Sequence, residues 1–527
     1  MSGEISDMKM YVRCTALLAA LAGIGVLFLE SSAQGQAPAQ PPSRQIFPPQ
    51  APPQPVDPHV EKPRVIVLSD IGGDPDDQES FVRFLLYSNE FDIEALVASS
   101  RQLHPEMMRD EINAFGQVRT NLMLNAEGWP EVADLLSRVH AGQAGGGLAN
   151  TGEGKSTEGS EAILHAIESG DPRPLWITIW GGANTLAQAL KDFRSAHTPE
   201  EVTRLVSHVR VYSISDQDDA GPWIRREFPE LVYVVNPSNP GPEEYPYATW
   251  TGISGDRFFR EGDEGADFTT VTNEWLDTNI RSKGPLGKLY PPYIFIMEGD
   301  TPSFLGLVNN GLNSYRRPDW GGWGGRYNYV RPYGETHPIW ARGGVLNLSG
   351  VNSQDEVIGT DGKPHVSDQA TIWRWREAFQ NDFAARANWM VSDFAHSNHN
   401  PVAIVNGQSG TDVIQMTAEV GKPIVLDAGG SSDPDGQSIQ FHWFQYIEAG
   451  TSGTRPALVA IEGAETSKAT VTPTAACRPS SMRRQVPCPG GVAHIILEVT
   501  DDGQPKLTSY RRIILNVKPE PDSSKPN

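Results

Sequence analysis

The chain has 527 residues, of which 38% are hydrophobic and 20% are charged, a composition typical of globular proteins. This length exceeds that of one compact domain and predicts about two to four domains. The 43 basic and 65 acidic residues leave a formal net charge of -22, which excludes general binding to nucleic acids or to anionic lipid surfaces.

The N-terminal segment has the pattern of a secretory signal peptide. Lys9 and Arg13 precede an apolar run from Thr15 to Leu29, and small residues follow that run. The run is shorter than the roughly 20 apolar residues that a membrane span requires. We therefore expect residues 1–33 to be removed on export, which leaves a secreted or periplasmic protein without a membrane anchor.

Two further segments are expected to be disordered. Residues 34–62 are rich in Pro, Gln and Ala and show almost no apolar periodicity, which predicts an extended linker. Residues 521–527 form a short polar tail after the last predicted strand.

The chain has only three cysteines, which argues against a disulfide scaffold or a thiolate metal cluster. Cys14 lies in the apolar N-terminal run, whereas Cys477 and Cys488 lie in one loop rich in Pro and Arg. Two interpretations of this loop stay open at the level of sequence. It contains either a single disulfide, as suits an exported protein, or two unpaired thiols.

Residues 63–400 are expected to form an α/β domain. Short apolar runs predict strands at 64–68, 93–98, 175–180, 209–214, 231–235 and 293–297. Helical spacing predicts helices at 80–88, 109–122, 160–168, 183–193, 199–208 and 372–392. Strands that alternate with helices indicate an open, mostly parallel sheet with helices on both faces.

Residues 401–520 show a different pattern, with short alternating strands separated by turns. The predicted strands are 403–405, 424–426, 439–446, 470–472, 493–500 and 511–517. This pattern favours a small all-β sandwich of immunoglobulin-like type, with Trp443 as its core aromatic residue.

Four aspartates crowd the turn after the first predicted strand, at Asp70, Asp74, Asp76 and Asp77. In open α/β sheets, ligands bind at the carboxyl ends of the strands. Neighbouring carboxylates repel each other unless a cation lies among them, and Ca²⁺ prefers such oxygen ligands. The alternative is an acidic surface turn that caps the next helix, but one cap needs only one aspartate.

Four motifs together resemble the nucleoside hydrolase superfamily, in particular its secreted bacterial branch of cellulose-binding proteins. They are Ser69-Asp-Ile-Gly-Gly-Asp-Pro-Asp-Asp-Gln-Glu-Ser80, Trp180-Gly-Gly-Ala-Asn-Thr185, Glu298-Gly-Asp-Thr-Pro-Ser303 and Gly321-Gly-Trp-Gly-Gly-Arg-Tyr327. The resemblance extends from about residue 63 to residue 518. It implies a nucleoside hydrolase-like domain followed by an immunoglobulin-like domain.

The resemblance implies a Ca²⁺ site and a hydrolytic reaction at an N-glycosidic bond. Asp70, Asp77 and Asp300 would bind the ion through carboxylates, and Trp180 would bind it through its backbone carbonyl. Asp70 would also act as the general base towards the attacking water molecule. Such a site suits the reaction, because carboxylates stabilise the positive charge that develops on the sugar ring.

The resemblance also implies a set of substrate-binding residues. Asp76 would hold ribose hydroxyls, and Asn184 would shape the floor of the pocket. Asp216 and Asp218, which follow a later strand, and Glu298 are further candidates for contacts with the sugar.

Two departures from the superfamily pattern concern the chemistry. Leu68 stands where the first aspartate is usual, and two extra residues lengthen the acidic turn. Gly299 stands where a histidine is usual, so the leaving group has no obvious proton donor. Glu298, His104 and Glu79 are the alternatives for that role.

The glycine-rich loop from Arg317 to Arg326 contains Trp320 and Trp323. If the loop is exposed, these indoles could stack on sugar rings; the alternative is a packed loop. Two functions therefore follow from the sequence. The first is a Ca²⁺-dependent hydrolase of a nucleoside or related glycoside, and the second is a non-catalytic protein that binds a polysaccharide such as cellulose.

Overall fold

The computed structural model describes residues 56–100, 103–237, 251–254, 264–294, 296–342, 353–452, 455–479 and 488–519. The expected signal peptide, most of the expected linker and the expected tail lie outside these ranges. Within them, no helix is both long and apolar enough to cross a membrane.

An eight-stranded, mostly parallel sheet forms the centre of the α/β part. Its strands are β1 (Arg64–Ser69), β2 (Asp92–Ala98), β3 (Val139–Ala141), β4 (Leu175–Ile179), β5 (Val209–Ser213), β6 (Val232–Val234), β7 (Asn328–Val330) and β8 (Ile339–Ala341). The spatial order is β3-β2-β1-β4-β5-β6-β8-β7, and only β7 runs antiparallel to its neighbour. The predicted fold class is therefore confirmed. The order of the strands reverses between β1 and β4, which is where ligands bind in such sheets.

Helices cover both faces of this sheet. They are α1 (Asp76–Leu86), α2 (Pro105–Asn125), α3 (Val132–Ser137), α4 (Glu158–Glu168), α5 (Asn184–Ala196), α6 (Pro199–Val206), α7 (Ala220–Glu227), α8 (Thr251–Ser254), α9 (Asn273–Leu276), α10 (Gly284–Gly287), α11 (Pro302–Leu305), α12 (Ala370–Trp373) and α13 (Arg376–Trp389). Local sequence sets several helix starts. In α6, for example, Thr198 and Glu201 form a capping box around a proline at the first helical position.

Strand β1 shows how the sheet separates two cores. Val65 and Val67 face one apolar core, whereas Ile66 and Leu68 face the other, because successive side chains of a strand alternate. All four side chains are fully buried. A continuous apolar run is therefore what this central strand requires.

The C-terminal part consists of two packed sheets, as predicted. One sheet has the order β11-β17-β16-β13 and the other has the order β12-β15-β14. The strands are β11 (Ile414–Ala418), β12 (Ile424–Asp427), β13 (Ile439–Gln445), β14 (Leu458–Glu462), β15 (Lys468–Ala475), β16 (Gly491–Asp501) and β17 (Thr508–Val517). Trp443 is 1% exposed within their shared core. A disulfide joins Cys477 to Cys488, which decides between the two interpretations of that loop.

A small hairpin precedes α12 and consists of β9 (Asp355–Ile358) and β10 (Pro364–Ser367). It was not predicted. The strand expected at 293–297 was wrong, because the described residues of that segment form no strand. The helix expected at 372–392 is divided at Arg374 and Trp375 into α12 and α13.

The segment 56–62, which we expected to be disordered linker, packs against the α/β part. Asp57 is 8% exposed and forms two hydrogen bonds with the Arg210 guanidinium, at 2.8 and 2.6 Å. The backbone N–H of Asp57 donates to the carbonyl of Arg316 at 2.8 Å. The folded part therefore begins before β1.

The C-terminal sandwich and the α/β part share one apolar core. Tyr446 and Tyr510 of the sandwich belong to the same cluster of buried side chains as Trp323 and Trp375. The Tyr510 ring meets the rings of Trp323 and Trp375 edge-on, at centroid distances of 6.3 and 5.6 Å. The sandwich is consequently held in a fixed position beside the sheet.

Candidate active and metal site

The acidic turn connects β1 to α1 at the carboxyl edge of the sheet. The hydroxyl of Ser69 donates to Asp77 Oδ1 at 2.5 Å and accepts from the N–H of Ile71 at 3.1 Å. Gly72 has a φ of 96°, a conformation that favours glycine. These contacts fold the turn back so that its aspartates crowd the start of α1.

Three carboxylates converge at this turn, from Asp76, Asp77 and Asp300. Each offers one oxygen, and these oxygens all lie within 4.8 Å of one another. Asp77 is 3% exposed and Asp300 is 1% exposed, whereas Asp76 is half-buried. Neither carboxylate oxygen of Asp300 accepts a hydrogen bond from another described residue. A buried charge without such a partner is costly, so the group fits a cation.

The electrostatics of the cluster agree with this assignment. Burial, Asp74 and Asp70 raise the pKa of Asp76 from 3.8 to about 7. Burial and the neighbouring carboxylates also raise the pKa values of Asp77 and Asp300 well above their usual range. All the candidate ligands are oxygens, which favours a hard cation such as Ca²⁺ or Mg²⁺ over a transition metal.

Asp70 lies beside this group, at the junction of β1 and β4. It is 6% exposed, and a Cβ atom added to Gly181 would lie 2.7 Å from its carboxyl group. The glycine after Trp180 is therefore required for the two strand ends to approach. The three carboxylates whose oxygens lie within 4.8 Å of one another are those of Asp76, Asp77 and Asp300, and Asp70 is not among them. Asp76, which we expected to hold ribose hydroxyls, is therefore a candidate metal ligand.

Trp180 follows β4 and belongs to the adjacent backbone. Its N–H donates to the carbonyl of Leu68 at 2.8 Å, and its own carbonyl accepts from Gln217 Nε2 at 3.0 Å. The indole N–H donates to Ser303 Oγ at 2.9 Å, and Ser303 Oγ donates to the Asp300 carbonyl at 2.6 Å. Trp180 thereby connects the end of β4 to the loop that carries Asp300.

Asp218 and Asn184 connect the loops around the site through hydrogen bonds. Asp218 accepts from three backbone N–H groups, those of Gly147, Ala183 and Ala220, at 3.0 to 3.2 Å. Asn184 donates to the carbonyl of Gly145 at 2.5 Å. Both side chains organise the site, and Asn184 is fully buried.

Asp216 and Glu298 do not face the site as free carboxylates. Asp216 forms a bidentate pair with Arg225, with both contacts at 2.8 Å. Glu298 is fully buried, lies 2.6 Å from Arg83 Nε and accepts a hydrogen bond from Tyr290 at 2.7 Å. Each carboxylate is thus paired with a buried arginine, and the expected role of the two residues in sugar contacts stays a prediction.

The Arg83–Glu298 pair is a contributor that sequence reasoning missed. It joins α1 to the loop that carries Asp300, and the Glu298 N–H also donates to Glu79 Oε2 at 2.8 Å. Glu298 has a φ of 56°, which is unusual for a residue with a side chain. The pair therefore holds Asp300 close to Asp77. Residues 83 and 298 are too far apart in the chain for a sequence pattern to relate them.

Trp320 and Trp323 are not exposed. They are 3% and 2% exposed and pack against the sandwich, where Trp320 meets the His494 ring and Trp323 meets the Tyr510 ring. The glycines of this loop allow close packing: a Cβ atom on Gly321 would lie 2.4 Å from the Tyr446 hydroxyl. The expectation of exposed stacking surfaces was wrong, and the packed-loop alternative is correct.

Gly299 and His104 bear on the missing proton donor. A Cβ atom at Gly299 would lie 2.7 Å from Asp76 Oδ2, so a histidine at that position would displace this carboxylate. His104 lies against Gly72 in the acidic turn, where its Cδ2 is 2.5 Å from the position of an added Cβ. Its Nδ1 is 2.8 Å from Glu106 Oε1, and its side chain is 32% exposed. Of the three alternatives for the donor, His104 is therefore the accessible one, since Glu79 and Glu298 are buried.

Comparison with known proteins agrees with this architecture. Residues 64–327 match the family model described as cellulose-binding Sde182, nucleoside hydrolase-like domain. Residues 423–517 match the model described as cellulose-binding protein Sde0182, C-terminal domain. A solved structure from Saccharophagus degradans, described as a nucleoside hydrolase-related hypothetical protein associated with carbohydrate metabolism, is 31% identical. That comparison covers 87% of this chain and 100% of the other, with a TM-score of 0.71.

The fold and the acidic site thus define a nucleoside hydrolase-like protein with a C-terminal all-β part. Within that class, the chain belongs to the cellulose-binding Sde182 family. This confirms the family resemblance read from the sequence.

More distant matches add nothing to this assignment. The PKD domain of the KIAA 1837 protein is 22% identical over 22% of this chain and all of that chain, with a TM-score of 0.15. The type III effector XopQ, solved with adenosine diphosphate ribose, is 11% identical over 64% of this chain and 95% of that chain, with a TM-score of 0.29. No curated protein matches the chain.

Proposed function

We propose that the acidic site binds Ca²⁺ and that the protein hydrolyses an N-glycosidic bond of a nucleoside or a related glycosidic bond. The observation that carries the proposal is the convergence of Asp76, Asp77 and Asp300 within 4.8 Å, with both Asp300 oxygens buried and without hydrogen bonds to described residues. Asp70 contributes further negative charge beside the group. When bound, the cation would neutralise these carboxylates and favour the ionisation of a nearby water molecule.

The side chains of the site would divide the reaction between them. Asp70 would accept a proton from the attacking water, whose oxygen would form the new bond to the sugar carbon. The ionised carboxylates around the ring would stabilise the positive charge that develops as the glycosidic bond breaks. His104 would donate a proton to the leaving group, with Glu106 holding its imidazole in place.

A direct test measures turnover and cation binding in the same variants. Purified wild-type protein is assayed with a panel of nucleosides and aryl glycosides, with Ca²⁺ or with chelator. We expect Asp70→Asn to abolish turnover and Asp300→Asn to abolish calorimetric Ca²⁺ binding. Asp110→Asn, an exposed carboxylate on α2, is the charge-matched control and should change neither. Turnover that persists in chelator or in Asp70→Asn would show that this mechanism is wrong.

A second candidate function is non-catalytic carbohydrate binding with a retained cation site. The packing of Gly299 against Asp76 favours it, because the usual histidine has no room there. The description of the family as cellulose-binding agrees with it. A pull-down of the full chain on insoluble cellulose tests it, and failure to be retained would count against it.

We also propose that the protein is exported. The disulfide between Cys477 and Cys488 supports this, because disulfides persist in oxidising compartments. N-terminal sequencing of protein recovered from the periplasm or the medium would test the proposal. A mature chain that still begins at Met1 would refute it.

A further inference from the structure

A polar cleft of about 290 Å³ separates α13 from the sheet of the sandwich that contains β13, β16 and β17. We call it the interdomain cleft. Trp375 and Tyr510 lie at its base, where the two parts of the protein share their core. Its α/β wall consists of Arg374, Glu377, Ala378 and Asn381. Away from that base, the sheet face is left uncovered and polar.

Strand register sets the opposite wall. His442 of β13 pairs with Glu498 of β16, and Glu498 pairs with Tyr510 of β17, so these three side chains point to the same face. In the next row, Gln440 pairs with Thr500. Alternate residues of the same strands, such as Trp443, enter the core of the sandwich instead. The sheet therefore presents a patterned row of amide, hydroxyl, imidazole and carboxylate groups to the cleft.

Several of these polar groups have no hydrogen-bond partner among the described residues. Among the residues that the structure describes, Glu377, Asn381, Gln440, Glu498 and Lys506 form no hydrogen bond or ion pair through their side chains. Glu498 is the informative one, because it is half-buried in the cleft. Burial raises its pKa, although the nearby charges of His442 and Arg374 act in the opposite direction. A carboxylate in this position is stabilised by a ligand that donates hydrogen bonds.

We infer that the interdomain cleft is a binding site for a neutral saccharide, separate from the acidic turn. Carboxylate and amide groups at fixed spacing accept and donate hydrogen bonds to sugar hydroxyls, and the ring of His442, which lines the cleft, is held by stacking on Phe444. The volume is near the lower limit of about 300 Å³ for ligand pockets, so one or two sugar units of a longer chain fit. The lining has three carboxylates, of Glu377, Glu465 and Glu498, against the two cations Arg374 and Lys506, so its net negative charge disfavours an acidic saccharide.

This inference deepens the carbohydrate-binding candidate above, on which it rests, and it does not depend on hydrolysis at the acidic site. The test uses the full mature chain and isothermal titration calorimetry. Cellohexaose and mannohexaose are the neutral probes, and an oligogalacturonate of the same length is the acidic comparator. We expect saturable binding of at least one neutral probe and no binding of the oligogalacturonate.

Variants then locate the binding. Glu498→Gln and Gln440→Ala should each weaken binding of the neutral probe at least tenfold, while Glu462→Gln, on an exposed position of β14 in the other sheet, should bind as the wild type does. Gln440 is exposed, so its variant tests the cleft even if Glu498→Gln unfolds. Asp300→Asn should bind the probe normally. Unchanged affinity in folded cleft variants, tighter binding of the oligogalacturonate or no binding of either neutral probe would overturn the inference. Loss of binding in Asp300→Asn would place the saccharide site at the acidic turn, and this result would also overturn the inference.

Discussion

Chelating divalent cations should destabilise the protein at pH 8 much more than at pH 5, because the carboxylates of the acidic turn then repel each other without compensation. The pKa of Asp76 rises from 3.8 to about 7 on folding. The folded state therefore binds this proton more tightly than the unfolded state does. The stability that the proton provides is complete below about pH 4 and is lost as the pH rises to about 7.

The magnitude follows from this rise. The pKa rises by about three, and a difference of one in pKa corresponds to about 1.4 kcal/mol. The ionisation of Asp76 therefore lowers the free energy of unfolding by about 4 kcal/mol at pH 8. A cation that binds only the folded state should recover most of this loss. At a concentration 100 times its Kd, the cation stabilises by about 2.7 kcal/mol. For a unit of more than 250 residues, this corresponds to an increase in Tm of about 3–5 °C.

Differential scanning calorimetry at pH 5 and pH 8, with EDTA or with 10 mM Ca²⁺, measures the effect. Ca²⁺ should raise the Tm of the wild type at pH 8 and change it little at pH 5. Asp300→Asn removes one buried charge, so this variant should be more stable than the wild type in EDTA at pH 8 and should lose the response to Ca²⁺. The exposed Asp110→Asn should retain the response. Equal Ca²⁺ responses in the wild type and in Asp300→Asn would refute the reasoning.

Three other predictions concern the structure around the site. Gly299→Ala should weaken Ca²⁺ binding at least tenfold in calorimetric titrations, because the added methyl group displaces the carboxylate of Asp76; unchanged binding would contradict the assigned contact. Glu298→Gln should lower the free energy of unfolding by about 3–5 kcal/mol in urea denaturation, because it leaves the buried guanidinium of Arg83 without its counter-charge, and a loss below 1 kcal/mol would argue against a buried pair. Trp323→Ala should lower the free energy of unfolding by about 3–5 kcal/mol in the same assay, because Trp323 is buried, and it should not change oligosaccharide binding. A change in binding without a loss of stability would support the exposed-loop interpretation instead.

The sequence predicted five of the eight strands of the central sheet, β1, β2, β4, β5 and β6, because their signals were local, and it missed β3, β7 and β8. The apolar run of β1 predicts a strand buried on both faces, and the structure has it between two cores. In the sandwich, the five-residue strand β11 (IQMTA) was also missed. Its two polar residues alternate with Ile, Met and Ala. The apolar segment 293–297 predicts a strand, but its described residues form none, and the N–H of Met297 donates instead to Ser254 Oγ at 3.1 Å.

At the site, the family resemblance predicted relations between residues that residue spacing alone could not. It related Asp77 to Asp300, which are distant in the chain, and the structure brings the two carboxylates together. Contacts that depend on a distant partner stayed hidden. Nothing near Glu298 in the sequence indicates that Arg83, 215 positions earlier, neutralises it, and the burial of Trp323 depends on Tyr510, almost two hundred positions later.

The common core of the two parts limits how the protein can be dissected. A truncated chain that stops at residue 400 would turn the indoles of Trp320, Trp323 and Trp375 towards water, and a fragment that starts there would do the same with the phenols of Tyr446 and Tyr510. Both pieces would tend to aggregate, and exposed apolar surfaces bind insoluble polymers without specificity. Retention of such a fragment on a polysaccharide would therefore reveal little about the natural ligand, and point substitutions in the intact chain are the sounder way to assign roles.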